Sequence, residues 1–193
     1  MKKFLHSIIF LLISHLSYGQ AFNQQQRIFA PFKVDLGINL SFPTDPKLTL
    51  GGGAFVEARY GITDQVHVGL NLGSNILGEG RFILQNRDAN INAQAISNIS
   101  LTGEYHFNTF NTRPYVGMTT GMYRRSNYTV TDANNGNVIT HQGSLVNFGF
   151  APRVGLVAGK FRLNLAYNFT GPGITNFINL GLGMQIGGNR YIN

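Results

Sequence analysis

Segment after segment of this chain alternates apolar side chains with polar ones or glycine at a period of two. In 33–42, Val34, Leu36, Ile38, Leu40 and Phe42 alternate with Lys33, Asp35, Gly37, Asn39 and Ser41. That period places each set on opposite faces of a β-strand. A chain built this way makes sheets with one apolar face and one face of charge, amide and glycine. What the chain can fold into then depends on what covers the apolar face: a second protein layer, or lipid.

The first residues narrow the choice. Lys2 and Lys3 precede an apolar run from Phe4 to Leu16, and Ser17-Tyr18-Gly19 supplies small residues where a signal peptidase reads. Residues 1–19 therefore read as a secretory signal cleaved before Gln20, too short for a membrane-spanning helix. Residues 20–32, with Gln24-Gln25-Gln26, read as a loose periplasmic lead-in, and residues 33–193 as a single domain. There is no cysteine, which excludes disulfides and thiol chemistry. Charged residues make up 12% of the chain, about half the usual share, and there are 24 glycines. A barrel in lipid accounts for both values: its outside needs no charge, and glycine relieves crowding within its strands. Net charge is +7, with two of the lysines in the signal, and no basic run tracks nucleic acid.

Eight segments carry the alternation: 33–42, 48–62, 65–76, 91–107, 113–128, 144–158, 161–170 and 176–187. Ile96 breaks the pattern of the fourth, and Leu48 falls on the apolar face of the second. The intervening turns 63–64, 108–112 and 159–160 are short, whereas 77–90 and 129–143 are long and fall on the opposite side as loops. Short periplasmic turns, longer outer loops and an even strand number are the pattern of outer-membrane barrels. Aromatics sort into two belts. Phe32, Tyr60, Tyr105, Phe107 and Phe161 lie near the periplasmic ends, and Phe42, Phe148, Phe169 and Phe177 near the outer ends. The fold class expected is all-β, an eight-stranded antiparallel up-and-down transmembrane β-barrel in the cell outer membrane.

Arg113-Pro114-Tyr115-Val116-Gly117, Ala151-Pro152-Arg153-Val154-Gly155-Leu156 and the strand from Phe161-Arg162-Leu163 to Tyr167-Asn168 resemble the small outer-membrane protein A-like and X-like barrels. The resemblance covers the whole mature chain and is one of fold, not of catalytic motif. It implies outer-membrane lipid and lipopolysaccharide as surroundings and the barrel-assembly machinery as a partner. Many such barrels end on an aromatic residue read during assembly. This chain runs on past Ile186, with Tyr191 in its last residues.

On the polar faces lie Asp35, Glu57, Arg59, Glu104, Arg153 and Arg162, with His67 and His106. Three acids and three arginines in a narrow tube are expected to pair into a lumen network, plugged further by Phe55, Tyr115 and Tyr123. The alternatives are a narrow channel for ions or small solutes, and a secreted soluble β-barrel carrying a small hydrophobic ligand in an apolar interior. Lys47, Arg81, Arg87, Arg124 and Arg125 fall at or beyond the outer rim, where Arg124, Arg125 and Tyr128 form a candidate surface for phosphates or a partner protein. No enzyme is expected: His141 and Ser144 lack the spacing of a triad. No metal or cofactor is expected either, since His67, His106 and His141 lie far apart in sequence.

Overall fold

The fold is a computed structural model that describes residues 27–78, 80–84, 87–91, 93–126, 128–132 and 138–188. The signal, residues 20–26 and Tyr191 lie outside the described residues. In chain order the strands are β1 (Phe32–Pro43), β2 (Thr49–Gly61), β3 (Val66–Gly78), β4 (Gly80–Leu84), β5 (Arg87–Ile91) and β6 (Gln94–His106). They continue as β7 (Thr112–Arg125), β8 (Tyr128–Asp132), β9 (Val138–Gln142), β10 (Leu145–Ala158), β11 (Phe161–Asn168) and β12 (Phe177–Gly187). Eight of them close into an antiparallel barrel in the order β1-β12-β11-β10-β7-β6-β3-β2. Each long strand pairs with its sequence neighbour in the barrel, and β1 meets β12 from Lys33↔Gly187 to Pro43↔Phe177.

The alternation decides which face is which. The outward set is apolar and open: Phe148 is 66% and Leu101 64% exposed, with Leu70, Leu165 and Leu180 alike. The inward set holds Asp35, Glu57, Arg59, His67, Glu104 and Arg162, all buried. A soluble carrier needs the reverse facing, so that alternative falls. An apolar band around a closed tube of strands is what lipid solvates, because closure leaves no unpaired strand edge in the hydrocarbon.

Two expectations about the outer end need correction. Residues 77–90 and 129–143 are not simple loops. They carry two hairpins, β4–β5 and β8–β9, which join through Ala89↔Asp132, Asn90↔Thr131 and Ile91↔Val130 into a four-stranded sheet of order β4-β5-β8-β9. Ile91 and Tyr128, read as ends of barrel strands, belong to this ribbon. The barrel strands β6 and β7 stop instead at Gln94 and Arg125. The hairpins are short, five residues per strand, and rich in Asn and Asp, so no long alternation announces them.

The described end of the lead-in is tied down. The Asp64 carboxylate accepts the backbone N–H groups of Ile28 and Phe29 at 3.0 and 3.1 Å. Arg27 donates to the carbonyls of Gly61 and Ile62 at 3.1 and 3.3 Å. Phe29 is buried in the barrel mouth at that end.

Candidate functional site

The barrel interior gathers the six charged residues into one cluster. Arg153 forks onto Glu57, with Nη1 to Oε2 at 2.7 Å and Nη2 to Oε1 at 2.8 Å, and reaches Glu104 at 2.7 Å. Arg59 donates to Glu104 at 2.9 Å, pairs with Asp35 and lies 3.6 Å from Glu57. Arg162 pairs with Glu104 and lies 3.7 Å from Asp35. Glu104 thus meets three guanidinium groups. Around this core, Asn71 donates to Glu57 at 3.1 Å, Arg59 to Gln185 at 3.2 Å, and the Arg162 guanidinium stacks 4.3 Å from the centre of the Tyr115 ring. Every one of the eight barrel strands contributes a side chain. Alternation on each strand points them inward, and the antiparallel register brings them to one level: Asp35 faces Glu57 across β1–β2, and His67 faces Glu104 across β3–β6.

Above this cluster, toward the ribbon, lies a layer of amides. Ser41 Oγ lies 2.8 Å from Asn179 Oδ1 and 3.0 Å from Asn75 Oδ1, and Asn98 donates to Asn71 at 3.0 Å. A cavity of about 50 Å³ lined by Asn39, Asn71, Asn98, Asn168 and Asn179 reaches down to Glu57 and Arg153. It is polar and has room for a few waters. Higher still, Leu48, Leu77, Ile96, Tyr123, Ile174 and Phe177 pack into an apolar cap with Leu145 against it. Ile96, the break in the alternation of β6, is an apolar side chain on the inward parity, and it fills the cap. Leu48 is not lipid-facing, because it precedes β2, where the backbone no longer alternates. Phe177 is not part of the outer aromatic belt; it shares the inward parity of Asn179 and is buried. The other belt members remain exposed.

The inner end holds charge that the sequence reading did not count. Lys33 and Arg113 are buried there beside His67 and His106. Lys33 Nζ lies 2.9 Å from His67 Nε2, and the two imidazoles meet edge to face at 4.5 Å. His67, Glu104 and His106 place three ligand-type atoms within 4.8 Å of one another, which their sequence separation hid and their inward parity on paired strands could have revealed. A divalent cation does not fit there. Glu104 is already neutralised by three arginines, Lys33 lies on the His67 nitrogen, and Arg59 adds a further positive charge.

At the outer rim, Arg124 and Arg125 part company. Arg124 is exposed and lines an open hollow of about 470 Å³ with Ala95, Ser97 and Ser126. Arg125 points inward, 7% exposed, and donates to the carbonyls of Gly143 and Gly173. It clamps two connections together and leaves the candidate surface set. Tyr128 opens β8, paired with Gln142; its side chain, like those of Arg81, Arg87 and His141, lies outside the described residues. Lys47 and Ser144 are exposed.

A closed eight-stranded tube with an apolar outside and a charged, filled inside defines a class: the small eight-stranded outer-membrane β-barrel. Solved structures of that class share the fold. Neisserial surface protein A is 16% identical, with a TM-score of 0.53 over 82% of this chain and 98% of its own. Ail, the attachment invasion locus protein of Yersinia pestis, is 12% identical, with a TM-score of 0.50 over 81% of this chain and 99% of its own. No protein-family model and no curated protein matches the sequence.

Proposed function

We propose that this outer-membrane barrel has a structural and surface-interaction role, with a lumen kept shut by its own side chains and a ribbon that meets the outside. One observation carries the reading: the interior is filled at the levels of the ion-pair cluster and the apolar cap, while the connections beyond the cap form a separate four-stranded sheet. Investment in a plugged tube and a hydrogen-bonded outer sheet favours presentation over transport. The ribbon's β4 and β9 lie at its two edges, the positions at which an extended partner segment adds a strand. The exposed Arg124 guanidinium beside Ser97 and Ser126 is suited to phosphates of lipopolysaccharide. The names of the two fold neighbours, a surface protein and an attachment protein, fit the same reading.

The test replaces 80–91 and 128–142 with short turns and asks two things of the variant. It should remain in the membrane pellet after alkaline carbonate washing, because the barrel is intact. It should lose adsorption to host cells or to surfaces coated with lipopolysaccharide. Adsorption equal to that of the unaltered protein would remove the surface role.

A further inference from the structure

The three acids inside the barrel, Asp35, Glu57 and Glu104, are taken up by Arg59, Arg153 and Arg162. Of the other buried cations, Arg125 at the outer rim donates to backbone carbonyls, and Lys33 and Arg113 both lie at the end where Phe29 enters. Arg113 is 2% exposed, and its Nε and Nη1 meet no hydrogen-bond acceptor among the described residues. His67 Nδ1 and His106 Nδ1 are in the same position. Asp64, the acid of this mouth, has its two oxygens on the backbone N–H groups of Ile28 and Phe29. Lys33 Nζ has the His67 Nε2 at 2.9 Å, and the group the two cations share is an aromatic ring: the Arg113 guanidinium lies 4.1 Å and the Lys33 ammonium 5.7 Å from the centre of Phe29. The ring itself offers them only its quadrupole. A small oxyanion offers full charge and several acceptor atoms, which suit a guanidinium and an ammonium held side by side.

We propose that the inner mouth of the barrel is a binding site for a small oxyanion of the phosphate or sulfate class, held shut by the Phe29 ring. Among the described residues, the plug's backbone and Arg27 hydrogen bonds run to one side. Arg27, Ile28, Phe29 and Pro31 all bond to residues of the single turn 61–64: the Gly61 and Ile62 carbonyls, the Asp64 carboxylate and the Gly61 N–H at 2.8 Å. Loosening that turn releases the ring and uncovers both cations without disturbing the ion-pair cluster beneath. The site is distinct from the outer surface proposed above and stands whether or not the ribbon binds anything.

The experiment titrates inorganic phosphate into the full mature protein, folded in detergent micelles, by calorimetry. Phe29→Ala should bind phosphate about tenfold or more tighter than the unaltered protein. Adding Arg113→Gln to it should abolish the gain, whereas adding Lys160→Gln, on the exposed lysine of the turn 159–160, should leave it intact. Asp64→Asn, which keeps the ring but weakens its backbone anchor, should give a smaller gain in the same direction. A folded Phe29→Ala protein, shown so by its heat-dependent gel migration, with no gain in affinity would overturn the proposal. So would a gain that survives Arg113→Gln or vanishes with Lys160→Gln. Should Phe29→Ala fail to fold, absence of any gain in Asp64→Asn overturns it equally.

Discussion

At the scale of single residues, the interior of this barrel rests on Glu104. Its carboxylate meets Arg59, Arg153 and Arg162. Removing it leaves three buried guanidinium groups with only Asp35 and Glu57 between them, and breaking a buried pair in this way costs about 3–5 kcal/mol. Glu104→Gln should therefore lower the urea midpoint of the protein in micelles by a margin that Arg124→Gln, on an exposed side chain, does not approach. Exposed substitutions stay within about 0.5 kcal/mol. Equal midpoints would show that the cluster contributes no more than rim charge does. This cluster was open to the sequence, because two-residue parity assigns Asp35, Glu57, Arg59, Glu104, Arg153 and Arg162 to the inside with no knowledge of the partners. Lys33 has the same parity. Its meaning, and that of Arg113, depends on Phe29, which comes from a segment with no alternation to place it.

At the scale of the strands, glycine and aromatic residues divide the inside between them. Phe55 on β2 lies across from Gly37 on β1, and Tyr115 on β7 lies across from Gly155 on β10. A Cβ added at Gly37 or Gly155 would run into those rings. The glycines make room for bulk that the tube would otherwise exclude. Gly155→Val should displace Tyr115 and the Arg162 guanidinium stacked on it, at a cost of about 1–3 kcal/mol, read as a lower denaturation midpoint and an altered near-ultraviolet tyrosine signal. On the other face, Leu165→Arg puts a charge in the lipid band and should cost about 2–4 kcal/mol in bilayers; a neutral result would mean that β11 does not face hydrocarbon. Strand identity and facing were legible because lipid and lumen both enforce the period of two. The ribbon was not, because its strands are short and no bilayer imposes a pattern on them. The outer cap was misread at Leu48 and Phe177 because an apolar side chain near a strand end reads as lipid-facing. Only the register and the ends of the strands show that the tube is closed by grease there and by charge lower down.

At the scale of the whole molecule, the layers act in series: Phe29 and its two cations, the ion-pair cluster, the amide layer and the apolar cap. Each would have to open for a solute to pass. The purified protein in planar bilayers should show no stable, voltage-independent conductance, and steady openings would move it to the channels. Phe29→Ala should leave that result unchanged, since the cluster and the cap still close the path above it.

The seam between β1 and β12 sets an order of events during biogenesis. These two strands stand at opposite ends of the described sequence yet share eleven paired positions. Until β12 has crossed the inner membrane, β1 and β11 have no partner on their free sides, and hydrocarbon tolerates neither edge. Insertion therefore has to wait until β12 has been made and exported, and a chain cut before Phe177 should fail to accumulate in the outer membrane.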